Sequence, residues 1–144
     1  MERIAVDPEQ PDASAIARGA AIVLAGGAVA IPTDTLYGLA VDPFNAAAVA
    51  ALFAIKDRAA EKAIPLIAAD HAQVQQWCGT LPPAGHRLAA QFWPGPLTLV
   101  LDAPVSIDPG ITGGGTTVGI RVPAHVVARA LCRAVGKPLT ATSA

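Results

Sequence analysis

Three of the chain's ten lysines and arginines, Lys56, Arg58 and Lys62, fall within seven positions of the stretch IKDRAAEKAIPLIAAD (55–70). Arginine offers a planar fork and lysine a compact charge, a pairing suited to an anion and most simply to phosphates. On a helix Lys56 and Arg58 would point about 200° apart. In an extended segment residues two apart share a face. The helix before them is therefore expected to end near Lys56, with Lys56 and Arg58 converging from a turn and Lys62 just ahead of the next strand. The alternative for these residues is a solvated helix end, where cations favour the negative pole of the dipole.

Three further stretches carry polar groups at telling spacings. In IPTDTLYGLA (31–40), Thr33 and Thr35 would present both hydroxyls on one side of a strand or its extension, near the chain's one tyrosine, Tyr37. Strand ends are the usual ligand side of an α/β sheet. The alternative is an ordinary strand-to-turn with Asp34 in the turn. In TTVGIRVP (116–123), Arg121 stands in an otherwise apolar strand. An arginine there is rarely buried unpaired, so it either meets an internal carboxylate or holds an anionic ligand. GKPLTATSA (136–144) offers small residues and the hydroxyls of Thr140, Thr142 and Ser143.

A scaffold must bring these stretches together. ASAIARGAAIVLAGG (13–27) reads as a helix stopped by Gly-Gly, and AVAIPT (28–33) as a buried strand. NAAAVAALFAIK (45–56) is a helix with Asn45 as N-cap, and AIPLIAA (63–69) a strand whose Pro65 limits its place in a sheet. DHAQVQQWC (70–78) and AGHRLAAQFW (84–93) are short helices, and Pro94, Gly95 and Pro96 then force a break. LTLVLDA (97–103) and TVGIRV (117–122) are strands, with PGITGGGTT (109–117) a loop between them. AHVVARALCRAV (124–135) is an amphipathic helix, and KPLTATS (137–143) starts another strand. Strands alternating with helices make the class α/β. The 144 residues, without a repeat or long linker, read as one domain spanning 1–144. Segment 104–116, with four glycines and no apolar period, is the candidate for a mobile segment.

Composition excludes several classes. At 53% hydrophobic and 15% charged the chain is too apolar for disorder. A net charge of −1 gives no global attraction to nucleic acid. No apolar run reaches membrane-spanning length, and the polar start MERIAVDPEQPDASA lacks the pattern of a signal peptide, so the expected location is cytoplasmic. Cys78 and Cys132 are too few for a disulfide framework and are expected reduced and buried. GGG (113–115) is not followed by Lys-Ser or Lys-Thr and is no P-loop, and there is no G-x-S-x-G elbow. His71, His86 and His125 lack metal-ligand spacing, and such histidines are more often surface or capping residues. Trp77 and Trp93, with no basic cluster beside them, read as core residues rather than stacking platforms.

Taken together, five segments in order resemble the YrdC/Sua5 family, the threonylcarbamoyl-AMP synthases, from about residue 13 to the end. IPTDTLYGLA is similar to its P-T-[DE]-[ST]-x-Y-G-L signature, and KDRAAEKAIPLIAAD to its K-x-R element and following strand. FWPGPLTLVL resembles F-W-P-G-P-[LF]-T, TVGIRVPAH resembles T-V-G-[IV]-R-x-P, and PLTATSA the approach to S-x-N. The resemblance implies a twisted mixed sheet with flanking helices and a concave, positively lined cavity. It also implies a reaction in which L-threonine and bicarbonate form a carbamate that attacks the α-phosphate of ATP, with Mg²⁺ accompanying the nucleotide. Pyrophosphate leaves, and threonylcarbamoyl-AMP feeds the t6A37 modification of tRNA through a transferase machinery.

Residue by residue, the resemblance gives Lys56 and Arg58 the phosphates of ATP, with Lys62, Thr117 and Ser143 also on the nucleotide. Thr35, Arg121 (a clamp for the carboxylate) and the backbone of Ala141 would hold threonine. No residue is singled out as a general base or as a metal ligand. Ala59 stands where the family often has proline. Ala69 stands where some members have a histidine that touches threonine, with His71 two positions on. The chain stops at Ala144, where S-x-N places its Asn next, so the last strands of the family are expected to be missing. The competing reading is a nucleotide- or RNA-binding module of the same fold, or an inactive fragment without synthase activity. The net charge argues for weak or no direct tRNA binding, and binding by charge would fall steeply with salt.

Overall fold

The computed structural model describes residues 1–56 and 62–144; Arg58, predicted to hold phosphates, lies outside them. Local sequence explains most element boundaries. Helix α1 (Ala13–Leu24) starts where the Asp12 carboxylate accepts the Ser14 N–H. It ends as predicted at Gly-Gly, where Gly26 takes φ 91° and the Gly27 N–H returns to the Ile22 carbonyl. Helix α2 (Ala46–Lys56) is capped by the Asn45 side chain, which accepts from the N–H groups of Ala47 and Ala48. Asp70 caps α3 (His71–Cys78) through the Gln73 N–H. Helix α4 spans Pro83–Phe92. Helix α6 (Val126–Val135) begins at His125, whose Nδ1 accepts the Val127 N–H, so one of the three histidines is a cap as expected.

The strands form two small sheets. In the first, β1 (Val29–Ile31), β2 (Gly38–Ala40) and β7 (Thr142–Ser143) lie side by side and antiparallel. In the second, the order is β4 (Leu99–Asp102), β5 (Thr117–Arg121), β3 (Leu66–Ile67) and β6 (Leu139–Thr140). There β3 and β5 run parallel while the other pairs are antiparallel. The predicted mixed α/β sheet with flanking helices is therefore present.

Alternation along β5 splits the second sheet into two faces. Val118 and Ile120 join Leu66, Leu99 and Ile111 in one core under α2. Thr117, Gly119 and Arg121 face the other way. On that side Ile67 and Leu139 are covered by α1 and α6 through Val23, Ala128 and Leu131. The cover belongs to β3 and β6, and Thr117 and Val100 on β5 and β4 stay exposed. A polar face is thereby left open next to a closed core.

The structure differs from the sequence reading in four places. Strand 63–69 narrows to Leu66–Ile67; Pro65, with no N–H to give, limits it on the N-terminal side, while the Ala68 N–H still reaches the Arg121 carbonyl. The 137–143 segment is two strands, which crosses from one sheet to the other at Ala141, whose N–H bonds the Pro65 carbonyl. The Thr140 hydroxyl makes the crossing possible: buried, it accepts the Val41 N–H and donates to the Leu39 carbonyl, both at 2.9 Å. Strand β2 was not foreseen within YGLA. Segment 104–116 is anchored: Ile107 and Ile111 are buried, the Ile111 carbonyl accepts the Ile64 N–H, and Pro109–Thr112 forms the short helix α5 capped by Asp108. The buried isoleucines, too few to show a period, hold it.

Cys132 is buried and Cys78 half-buried, and neither is in a disulfide. Burial pushes their thiols up to about 12 and about 11. Both tryptophans are half-buried packing residues: Trp93 Nε1 donates to the Leu97 carbonyl, and Trp77 lies 4.7 Å from Phe44 and donates to the Gly136 carbonyl.

Candidate functional site

The polar face of β5 ends in a cavity of about 180 Å³. Its lining includes Thr33 and Thr35 from the β1–β2 connection, Arg121 from the end of β5, and Ala141 and Ser143 from the chain's last stretch. Leu36, Tyr37 and Gly38 complete the wall. Four residues predicted to bind ligand, Thr35, Arg121, Ala141 and Ser143, are thus brought together although the chain separates them by as many as 108 positions (143 − 35).

The threonines face one way through a turn rather than a strand. Thr33 Oγ accepts the N–H groups of Thr35 and Leu36 and donates to the Leu36 carbonyl at 2.6 Å. This is a side-chain-closed turn, a known alternative to ladder pairing for threonine. It sets the two hydroxyls 3.1 Å apart. Arg121 then binds the turn. Its NH2 lies 3.0 Å from Thr35 Oγ and 3.4 Å from Thr33 Oγ. Its NH1 donates to Asp34 Oδ1 at 2.5 Å and to the Gly95 carbonyl at 3.3 Å. Of the two options for Arg121, the internal carboxylate is therefore present, and the residue also lines the cavity, with NH2 on the threonine hydroxyls.

The Arg121 side chain is 11% exposed and that of Asp34 17%. Burial pushes the Asp34 carboxyl up. The Arg121 hydrogen bond, the Ala124 N–H, the guanidinium charge and its own N–H outweigh this, so the group sits below the ordinary carboxylate value.

Lys56 is the last residue of α2, as its spacing predicted, and its Nζ donates to the Ser143 carbonyl. Lys56 does not line the cavity itself, but it contacts Ser143, which does. Lys62 is exposed and does not line the cavity. Thr117 is exposed on the same face of β5 as Arg121 but at the strand's other end, about 13 Å away at a strand's rise per residue. Ala69 is buried; its N–H bonds Gln73 Oε1 and its carbonyl accepts Arg129 Nε. His71 does not substitute there, since it packs 4.9 Å from His86 and 6.2 Å from Trp93, away from the cavity. Asp34 and the Gly95 carbonyl had no assigned role. The signal for Asp34 was the need of Arg121 for a carboxylate, and no spacing between positions 34 and 121 could reveal the match.

The sequence likenesses agree with this geometry. A family model for Sua5, YciO and YrdC, described as telomere recombination, matches residues 21–144. The chain belongs to the Sua5/YciO/YrdC family. All the cavity-lining residues fall inside the matched range. Among relatives in this family, a threonylcarbamoyl-AMP synthase of Thiobacillus denitrificans is 46% identical over 119 residues, covering 83% of this chain and 63% of that protein. Another, from Halorhodospira halophila, is 42% identical over 129 residues, covering 90% and 68%. The chain thus spans about two thirds of their length. A crystal structure of P. abyssi Sua5 complexed with L-threonine is similar in fold, with a TM-score of 0.88 and 35% identity over 93% of this chain and 39% of that one.

Proposed function

We propose that the chain carries the activity of an L-threonylcarbamoyladenylate synthase, converting L-threonine, bicarbonate and ATP to threonylcarbamoyl-AMP and pyrophosphate for the t6A37 modification of tRNA. The observation that carries this reading is the convergence of Thr35, Arg121, Ala141 and Ser143 on one small cavity, with Lys56 bonded to the Ser143 carbonyl.

About 180 Å³ lies below the usual volume of pockets for drug-sized ligands and suits an amino acid rather than a nucleoside triphosphate. Arg121 would take the threonine carboxylate, with Thr35 and the Ala141 backbone holding the rest. The nucleotide would extend outward, its phosphates on Lys56, Arg58 and Lys62 and its remainder towards Ser143 and Thr117. The deprotonated amine and bicarbonate give a carbamate and water. A carbamate oxygen then bonds the α-phosphorus, the bond to the bridging oxygen breaks, and pyrophosphate departs with the electron pair. Fixed cations stabilise the charge on the leaving group, and a recessed pocket shields the short-lived carbamate from water. Positioning and charge supply the acceleration without a dedicated base.

Among the described residues no group of three or more His, Cys, Asp or Glu side chains could hold a metal ion. Mg²⁺ enters this reading as a companion of the ATP phosphates. No described helix is long and apolar enough to cross a membrane. The proposed place of work is the cytoplasm, beside a t6A transferase.

Pyrophosphate release from ATP, measured with and without L-threonine and bicarbonate, tests the proposal. Release that requires both supports it. Release that requires neither is ATP hydrolysis and counts against it. Nucleotide binding with no release favours the binding-module reading.

A further inference from the structure

Asp34 does not line the cavity, although its neighbours Thr33 and Thr35 do. Its carboxylate holds Arg121 NH1 at 2.5 Å, which ties it to the end of β5. The second NH1 contact goes to the Gly95 carbonyl, which is also outside the cavity wall. Both NH1 hydrogens are thus committed behind the wall. NH2 meets only neutral hydroxyls, those of Thr35 and Thr33, and both belong to the wall. A guanidinium is a rigid planar fork, so gripping one nitrogen sets the direction of the others. A carboxylate is a stronger acceptor for NH2 than a threonine hydroxyl.

We propose that Asp34 is a positioning residue for carboxylate recognition: with the Gly95 carbonyl it holds NH1 so that Arg121 presents NH2 and the two threonine hydroxyls to the carboxylate of an α-amino acid. This rests on the threonine reading above and adds what makes the arginine selective. A free arginine would swing towards the phosphates that Lys56 and its neighbours attract. A tethered one, its charge balanced by Asp34, keeps to the cavity.

The test compares L-threonine with L-threoninol, in which a hydroxymethyl group replaces the carboxylate, by NMR titration of the intact chain. Wild type, Asp34→Ala, Asp34→Asn and Arg121→Ala are measured, with thermal unfolding as a check. Wild type is expected to prefer L-threonine, and Arg121→Ala to lose that preference. Asp34→Ala is expected to cut the preference about tenfold, the scale of one lost charge-assisted hydrogen bond. Asp34→Asn, which keeps shape and one acceptor oxygen, should fall between. Should Asp34→Ala fail to fold, the near-isosteric Asn variant decides alone. A preference unchanged in the folded variants, or a loss that strikes threoninol equally, overturns the positioning role while leaving the clamp intact. A wild type that does not distinguish the two ligands overturns the clamp reading as well.

Discussion

Lys56, at the C-terminal end of α2, donates from Nζ to the main-chain carbonyl of Ser143 at the end of β7. The contact joins the first half of the chain to the last two residues and sets a cation beside the cavity. A backbone carbonyl is a neutral acceptor, and a phosphate oxygen is a stronger one, so the lysine can exchange partners when a nucleotide arrives.

Lys56→Ala should therefore weaken ATP binding about tenfold or more, the scale of a lost charge-assisted hydrogen bond. Its effect on folding should be about 1 kcal/mol or less. Calorimetric titration with ATP and urea unfolding measure the two. A variant that unfolds easily but binds ATP normally would show that the lysine is a structural tie.

Two ion pairs should differ sharply in worth. Lys137 Nζ lies 2.7 Å from Asp42 Oδ2, with side chains 28% and 7% exposed, and 5.9 Å from the Trp77 ring. Asp42 also accepts the Phe44 N–H. Removing one partner of a largely buried pair strands the other, so Asp42→Ala should cost about 3 kcal/mol. Arg18 and Glu2 pair at 2.6 Å but are 61% and 48% exposed. Arg18→Ala should cost less than about 0.5 kcal/mol. Chemical denaturation of both variants gives the ratio, and equal costs would contradict the burial argument.

The Asp34 contacts predict a pH effect with a definite sign. Burial raises this carboxyl, but the Arg121 and Ala124 hydrogen bonds hold it below the ordinary 3.8. A depressed carboxylate contributes stability that is complete above the unfolded value and disappears as pH falls through the folded one. The stability gap between wild type and Asp34→Asn should be constant well above pH 3.8 and shrink below it. Asp7 and Asp12 are depressed too, by the Glu9 backbone N–H and the Ser14 hydroxyl respectively, so the difference between the two proteins is the quantity to follow. A gap that widens in acid would reverse the assignment.

Both thiols should resist modification in the native state. With Cys78 near 11 and Cys132 near 12, about one thiol in a thousand or fewer is ionised at pH 8. A thiol-exchange reagent should react slowly with the folded chain and at once in denaturant. Fast reaction of native Cys132 would mean that α6 opens readily.

The local chemistry of this chain was legible from its residues. Asn45, Gly26 and Gly27 mark helix ends where they stand, because a cap is decided by a few neighbouring atoms. The end of α2 at Lys56 followed from the two-residue spacing of Lys56 and Arg58, and the α/β class from alternating patterns. The site's polar stretches were also visible, since hydroxyls and an arginine stand out in a 53% hydrophobic sequence. Their meeting was not. Pairing of Arg121 with Asp34 joins positions 87 residues apart, and it depends on the β1–β2 connection lying beside the end of β5. The splitting of 137–143 depends on Thr140 finding two backbone partners in the 39–41 stretch. The anchoring of 104–116 depends on space for Ile107 and Ile111 in a core built by other elements. Propensity and capping act over one or two turns of chain, whereas partner choice is set by which surfaces the whole fold brings within hydrogen-bonding distance. The sequence thus determined which groups this protein could use, and the tertiary structure decided that one arginine would be held by Asp34 and turned towards a cavity.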